Sequence, residues 1–143
     1  MEINRVNNIN HPIYFIIAGE KSADNHGAYL MKAMLEKNPQ ICFIGIGGNN
    51  MINEGLNSLE NIDKMAVMGF LEVIKHYYFF KKLINKIIEK ITYYGPIQII
   101  LIDYPGFNLR LAKKIKQKTH IPISYYISPQ IWAWKENRIE IIK

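Results

Sequence analysis

In the stretch QIILIDYPGFN, residues 98–108, an aliphatic run stops on a carboxylate. The run does not alternate with polar residues, so it reads as a strand covered on both faces, and Asp103 stands where that strand would meet water. Pro105 and Gly106 follow at once, which sets the carboxylate between a rigid strand and a tight turn. The residue before a proline is biased toward extended backbone, so Tyr104 is expected to be extended; Gly106 is expected to supply a positive φ or a close approach to a ligand. A carboxylate partly removed from water holds its proton more tightly and can take one from a substrate hydroxyl, the work of a general base. Asp also caps helices, and a helix beginning near Phe107 would use such a cap. The residues alone leave both roles open.

Two other segments put unusual chemistry after an apolar run. In AGEKSAD, Gly19 and Ser22 can offer donors to an anion at a helix start, and Glu20 and Asp24 can accept from the hydroxyls of a sugar-like ligand. A plain capping loop, with Asp24 or Ser22 as the cap, explains the same residues. GIGGNN carries Asn50 where a dinucleotide fingerprint needs its third glycine, so Gly45, Gly47 and Gly48 are read as allowing a tight turn and close helix packing. His11, His26, His76 and His120 are scattered with no second ligand at metal spacing, so no metal and no cofactor is expected. Cys42 lies in an apolar run and is expected in the core.

The elements that must position these residues alternate in type. HPIYFIIAG reads as a strand and AYLMKAMLEKNP as a helix stopped by Asn38 and Pro39; QICFIGIGG is a second strand and NNMINEG a short helix. Residues 68–94 carry apolar residues at helical spacing, as one helix or two with a bend. PIQIILI is the next strand, FNLRLAKKIKQKTH the next helix and IPISYYI another strand, followed by the loop and helix of SPQIWAWKENRIEIIK. The pattern predicts an α/β fold: a Rossmann-like parallel sheet with helices on both faces, over residues 13–143, preceded by a tail at 1–12. Ligands of such sheets bind beyond the carboxyl ends of the strands, so all three segments are expected to face one crevice.

The 143 residues suit one domain, and 49% hydrophobic with 21% charged residues is the composition of a folding chain. No apolar run reaches the roughly 18 residues of a membrane span, and the N-terminus lacks a signal-peptide core, so a cytoplasmic protein is expected. A net charge of +6 suggests an anionic partner: nucleic acid, an acidic lipid surface or a phosphorylated substrate. The aromatic basic loop YYISPQIWAWKENR would stack bases, but the basic residues are spread over several elements and no RNA-binding signature is present, so no nucleic acid is expected. Residues 68–86 interleave lysines with the aromatics from Tyr77 to Phe80, a pattern shared by core helices and by helices lying in a membrane interface.

Taken in order, IAGEKSADNHGAYLMKAM, FIGIGGNNMINEG, MAVMGFLEVIKH, ILIDYPGFNLRLAKKIK and YYISPQIWAWKENR resemble the lipid-A-disaccharide synthase family from about Ile13 to the end. The resemblance implies the N-terminal, acceptor-side half of a two-domain (GT-B type), metal-independent glycosyltransferase of lipid A biosynthesis. Its reaction moves 2,3-diacylglucosamine from a UDP carrier to the 6-hydroxyl of 2,3-diacylglucosamine 1-phosphate with inversion. The family's essential Asp falls on Asp103, which favours the base over the cap. Gly19, Glu20, Ser22, Asp24, Asn108 and Ser128 are the expected substrate contacts. Phe70, Leu71, Val73, Ile74, Phe79 and Phe80 are the expected membrane surface, with nearby lysines on anionic lipid of the inner leaflet, giving a peripheral inner-membrane location.

The chain departs from the family in three places. Lys21 and Ala23 replace the usual Ala and Gly of the first loop, and Ala23 would be strained if that Gly needs a positive φ. Gly106 stands where many members have Asp. Members run to well over twice this length, so the C-terminal donor half, with most of the UDP-sugar site, is expected to be absent and the chain alone inactive. A truncated gene product, a partial sequence, or a split enzyme with a separately encoded C-terminal half as partner would each account for that. The alternative from another class is a non-catalytic α/β module that binds lipid or a partner.

Overall fold

The computed structural model describes residues 11–63 and 73–127. Ser128, Phe70, Leu71, residues 1–10 of the tail and the helix expected after residue 128 lie outside the described residues, as do the side chains of Val73 and Ile74.

Five strands form one sheet: β1 (Ile13–Ala18), β2 (Cys42–Gly47), β3 (Leu56–Asn61), β4 (Gln98–Ile102) and β5 (Ile123–Tyr126). Their order is β3-β2-β1-β4-β5 and each pairing is parallel. The helices are α1 (Lys21–Lys37), α2 (Asn49–Asn53), α3 (Val73–Tyr94) and α4 (Pro105–Lys118).

The unalternating strands are explained by where their side chains go. Phe15 and Ile17 of β1 and Ile99 and Leu101 of β4 enter a core shared with Leu83, Ile87 and Ile91 of α3 and Leu111 and Ile115 of α4. Ile16 and Ala18, with Ile100 and Ile102, enter a second core on the opposite face with Ala23 and Met31 of α1 and Met51 of α2. Both faces are covered, so the period-two pattern of a one-sided sheet is lost and the strands read as apolar throughout. The α/β, Rossmann-like expectation is met.

Two local expectations are corrected and two that were left open are decided. β3 was not anticipated, because LNSLEN is a polar edge strand in which Leu56 is the buried anchor; edge strands carry such residues without penalty. Cys42 opens β2 at its amino end and is exposed, not core. Ala23 sits in the first turn of α1 with helical backbone and is fully buried, so it stores no strain. The long helical segment is a single α-helix across its described part, Val73–Tyr94, with Gly95 after it at φ 54°. Among the described residues no helix is long and apolar enough to cross a membrane.

Candidate functional site

The strand order reverses between β1 and β4, the place where an open parallel sheet leaves a crevice beyond its carboxyl ends. Ala18 pairs with Ile102, so Gly19 and Asp103 leave the sheet side by side. The approach is close: a Cβ on Gly19 would lie 2.4 Å from the Tyr104 ring, so only glycine admits that ring against the β1 turn. Glu20 follows and is exposed, and its carboxylate accepts a 2.7 Å hydrogen bond from the Ser22 hydroxyl. The Tyr104 hydroxyl is raised above its usual pKa by burial first and by the Glu20 charge second. Gly19, Glu20, Ser22 and Asp103 are thus brought together.

The turn at Asp103 differs from the expectation in a way that bears on its role. Asp103 and Tyr104 both have positive φ, 45° and 49°, whereas Gly106 does not. Tyr104, in the left-handed region, is the N-cap of α4, and Pro105 takes the first helical position, where its missing N–H costs nothing. Asp103 therefore does not cap the helix, and the extended backbone expected of Tyr104 is overridden.

Tertiary hydrogen bonds hold the turn. The Asp103 N–H donates to the Tyr126 carbonyl at 3.2 Å, and the Asp103 carbonyl accepts from Asn108 Nδ2 at 2.8 Å and from the Tyr125 hydroxyl at 2.6 Å. Asn108 also donates to the Ile102 carbonyl at 3.2 Å. With its backbone fixed on three sides, Asp103 keeps a half-buried carboxylate that has no hydrogen-bond or ion-pair partner among the described residues. A carboxylate left unpaired at the rim of a crevice is placed to accept a proton from a bound hydroxyl.

Two expected contacts are used differently. Asp24 is buried, 4% exposed; its Oδ1 accepts from the N–H groups of Gly48 at 2.7 Å and Met51 at 3.1 Å, and its Oδ2 from Asn50 at 3.1 Å. It caps α2 from within α1 instead of capping its own helix, whose N-cap is Glu20 with no side-chain bond. That carboxylate ties the loop after β2 to the loop after β1, and its lone pairs are occupied by backbone. Asn108 is fully buried beneath the Asp103 turn, away from solvent, and it positions that turn. The glycines of GIGGNN pack closely as expected: a Cβ on Gly48 would lie 2.7 Å from Asp24 Oδ2, and one on Gly47 would lie 2.7 Å from Met51 and from Leu56.

On α3, Phe79 and Phe80 are half-buried and pack on the core, with Phe80 5.1 Å from the Phe107 ring centroid. Of the four consecutive aromatics, Tyr77 and Tyr78, which are not among the six residues expected at the membrane, are the exposed pair, at 57% and 66%. Tyr78 falls off the helical stripe of the buried Ile84 and Ile87, whereas Tyr77 lies on it, seven residues before Ile84, so spacing alone singles out Tyr78. Tyr125, given no role in the sequence reading, has no signal in its own segment; only the pairing of β4 with β5 brings it to Asp103.

Residues 14–143 match the family model described as Lipid-A-disaccharide synthetase. The chain is 44% identical over 128 residues to lipid-A-disaccharide synthase 1 of Legionella pneumophila, an alignment covering 90% of this chain and 33% of the relative. It is 44% identical to the lipid-A-disaccharide synthase of Trichlorobacter lovleyi over 90% of this chain and 33% of the relative. With that of Syntrophus aciditrophicus it shares 41% identity over 94% of this chain and 35% of the relative. The chain spans about a third of the length of the relatives it matches.

Proposed function

The chain belongs to the lipid-A-disaccharide synthetase family, and we propose that it supplies the acceptor side of an inverting glycosyltransferase in which Asp103 is the general base. The observation that carries this reading is the unpaired Asp103 carboxylate, clamped by its backbone at the β1–β4 crevice. The acceptor is 2,3-diacylglucosamine 1-phosphate and the donor UDP-2,3-diacylglucosamine. Asp103 takes the proton of the acceptor 6-hydroxyl as that oxygen bonds to the anomeric carbon; the bond from that carbon to the UDP oxygen breaks on the opposite face, and UDP leaves with the electron pair. Gly19, Glu20 and Ser22 line the mouth toward the acceptor sugar. The donor is held by a second Rossmann-like half, in the same polypeptide or separately encoded.

Both substrates carry acyl chains, so the protein works peripherally on the cytoplasmic face of the inner membrane. The exposed Tyr77 and Tyr78 beside Lys81 and Lys82, and the net charge of +6, suit an interface with anionic lipid.

The test is a chimaera that joins residues 13–143 to the remaining two thirds of the Legionella relative. It is expected to release UDP and form disaccharide, and Asp103→Asn is expected to lower kcat by about 10²–10⁴-fold while vesicle binding persists. Retained turnover in the Asn variant would remove Asp103 from the base role. A chimaera that folds and binds vesicles but shows no turnover would favour the non-catalytic binding module.

A further inference from the structure

A groove of about 920 Å³ runs between α3 and α4, outside the crevice just described. That is the size of a small-molecule site. Its floor is apolar and aromatic: Phe80, Ile84 and Phe107, with Tyr104 at one end. Its rim is cationic. Lys81 from α3 faces Arg110, Lys113 and Lys114 from α4, the last three at positions four, seven and eight after Gly106 and so on one helical face. No carboxylate lines the groove, and none of these four cations has an ion-pair partner among the described residues. Four exposed cations around an apolar trough raise the local positive potential and suit a ligand that is anionic and apolar at once.

Tyr104 links this groove to the crevice. Its ring closes against Gly19 on one side and lines the groove on the other, one residue from Asp103. Gly106 adds a second indication. It is the second residue of α4, with no positive φ, and a Cβ there would meet nothing within 4 Å. Nothing in the packing requires glycine; what its missing side chain does is leave the groove mouth open beside Asp103.

The geometry points to this groove as the seat of a phosphorylated acyl lipid, with one acyl chain on the Phe80–Ile84–Phe107 floor and the phosphate on the Arg110–Lys113–Lys114 rim. Resting on the glycosyltransferase reading, that lipid is the acceptor: the groove fixes its chain and phosphate while its sugar reaches Asp103. Arg110 offers a planar fork to the phosphate, and the lysines add point charge.

Binding tests the groove without activity. Calorimetry on the 143-residue chain would use monomeric dihexanoyl phosphatidic acid as the probe, with dihexanoyl phosphatidylcholine and inorganic phosphate in parallel. The phosphatidic acid is expected to bind at least about tenfold more tightly than either, and Arg110→Ala with Lys113→Ala to lose about tenfold. Gly106→Leu is expected to weaken binding without lowering the melting temperature. Equal binding of inorganic phosphate, equal binding of the choline lipid, or unchanged binding in both variants each overturns the proposal. In the chimaera, the double variant is expected to raise the acceptor KM about tenfold at constant donor KM. Loss of lipid binding with that KM unmoved overturns the acceptor assignment. An inactive wild-type chimaera whose groove still binds phosphatidic acid tells against the catalytic reading alone.

Discussion

The Tyr125 hydroxyl and the Asp103 main-chain carbonyl are joined by a 2.6 Å hydrogen bond from β5 to the turn after β4. It helps hold two successive non-glycine residues in the left-handed region, a conformation that costs on the order of 1–3 kcal/mol each. Tyr125→Phe is expected to destabilise the chain by about 1 kcal/mol in urea titrations. In the chimaera it is expected to lower kcat by roughly tenfold with little change in KM, because a small misplacement of the carboxylate suffices. A kcat equal to that of the parent would show that the turn holds without β5.

Asn108 has its donor side filled and its acceptor side empty. Nδ2 donates to the carbonyls of Ile102 and Asp103, while the buried Oδ1 has no partner among the described residues. Asn108→Asp, the nearest isostere, would set a carboxylate against two carbonyl oxygens and is expected to cost several kcal/mol, more than Asn108→Ala. Protonation turns that carboxyl back into a donor. The folded pKa of the new group is raised, so the deficit shrinks as pH falls and grows as pH rises through that value. Urea stabilities of both variants at neutral and acidic pH decide it; a pH-independent deficit would mean the side chain had turned to solvent.

Asp24 joins the loops after β1 and β2 through three backbone N–H groups. Charged acceptors of this kind contribute about 1.5–3 kcal/mol per bond. Asp24→Asn is expected to cost about 2 kcal/mol and Asp24→Ala more, with amide exchange rising first at Gly48, Asn50 and Met51. An Ala variant as stable as the parent would show that the two segments are held together without this carboxylate.

What was legible in the sequence, and what was not, divides along contact range. The sheet class could be read because β1 and β4 bury residues on both faces, and a run such as YFIIA says so locally. The place of Asp103 followed, since a parallel sheet fixes which strand ends meet. β3 was missed because an edge strand is specified by one neighbour, β2, and needs only Leu56 inside. The Asp103–Tyr104 backbone was misread because the pre-proline bias is local, whereas Asn108 and Tyr125 impose the turn from 5 and 22 residues away. Asp24 looked like a cap and is one, but for a helix whose bonded N–H groups begin 24 residues later.

Two glycines of similar sequence appearance are expected to answer oppositely to alanine. Gly45 has φ 152° at the irregularity where β2 shifts register against β3, and a Cβ there would lie 1.8 Å from the Ile16 carbonyl oxygen. Gly45→Ala requires β1 and β2 to part and is expected to cost about 4 kcal/mol or more, enough to leave much of the chain unfolded. Gly106→Ala meets open space on a helix and is expected to stabilise by about 0.5 kcal/mol. Thermal melts of the pair check both, and a tolerated Gly45→Ala would show that the central pairing is looser than its register implies.

Tyr104 gives the site a signature at alkaline pH. Its phenol is raised from 10.0 by burial and then by the Glu20 charge. Above 10.0 the unfolded chain has released this proton while the folded chain still holds it, so stability falls as pH rises toward the folded value and is fully present below 10.0. Tyr104→Phe removes that component. The difference in urea stability between parent and variant is therefore expected to narrow between about pH 9 and about pH 11 in favour of the variant. Glu20→Gln, which removes the charge but leaves the burial, should retain the larger part of the slope. A parent–Phe difference that stays constant across this range would place the Tyr104 hydroxyl in open water, beyond the reach of both the burial and the Glu20 charge.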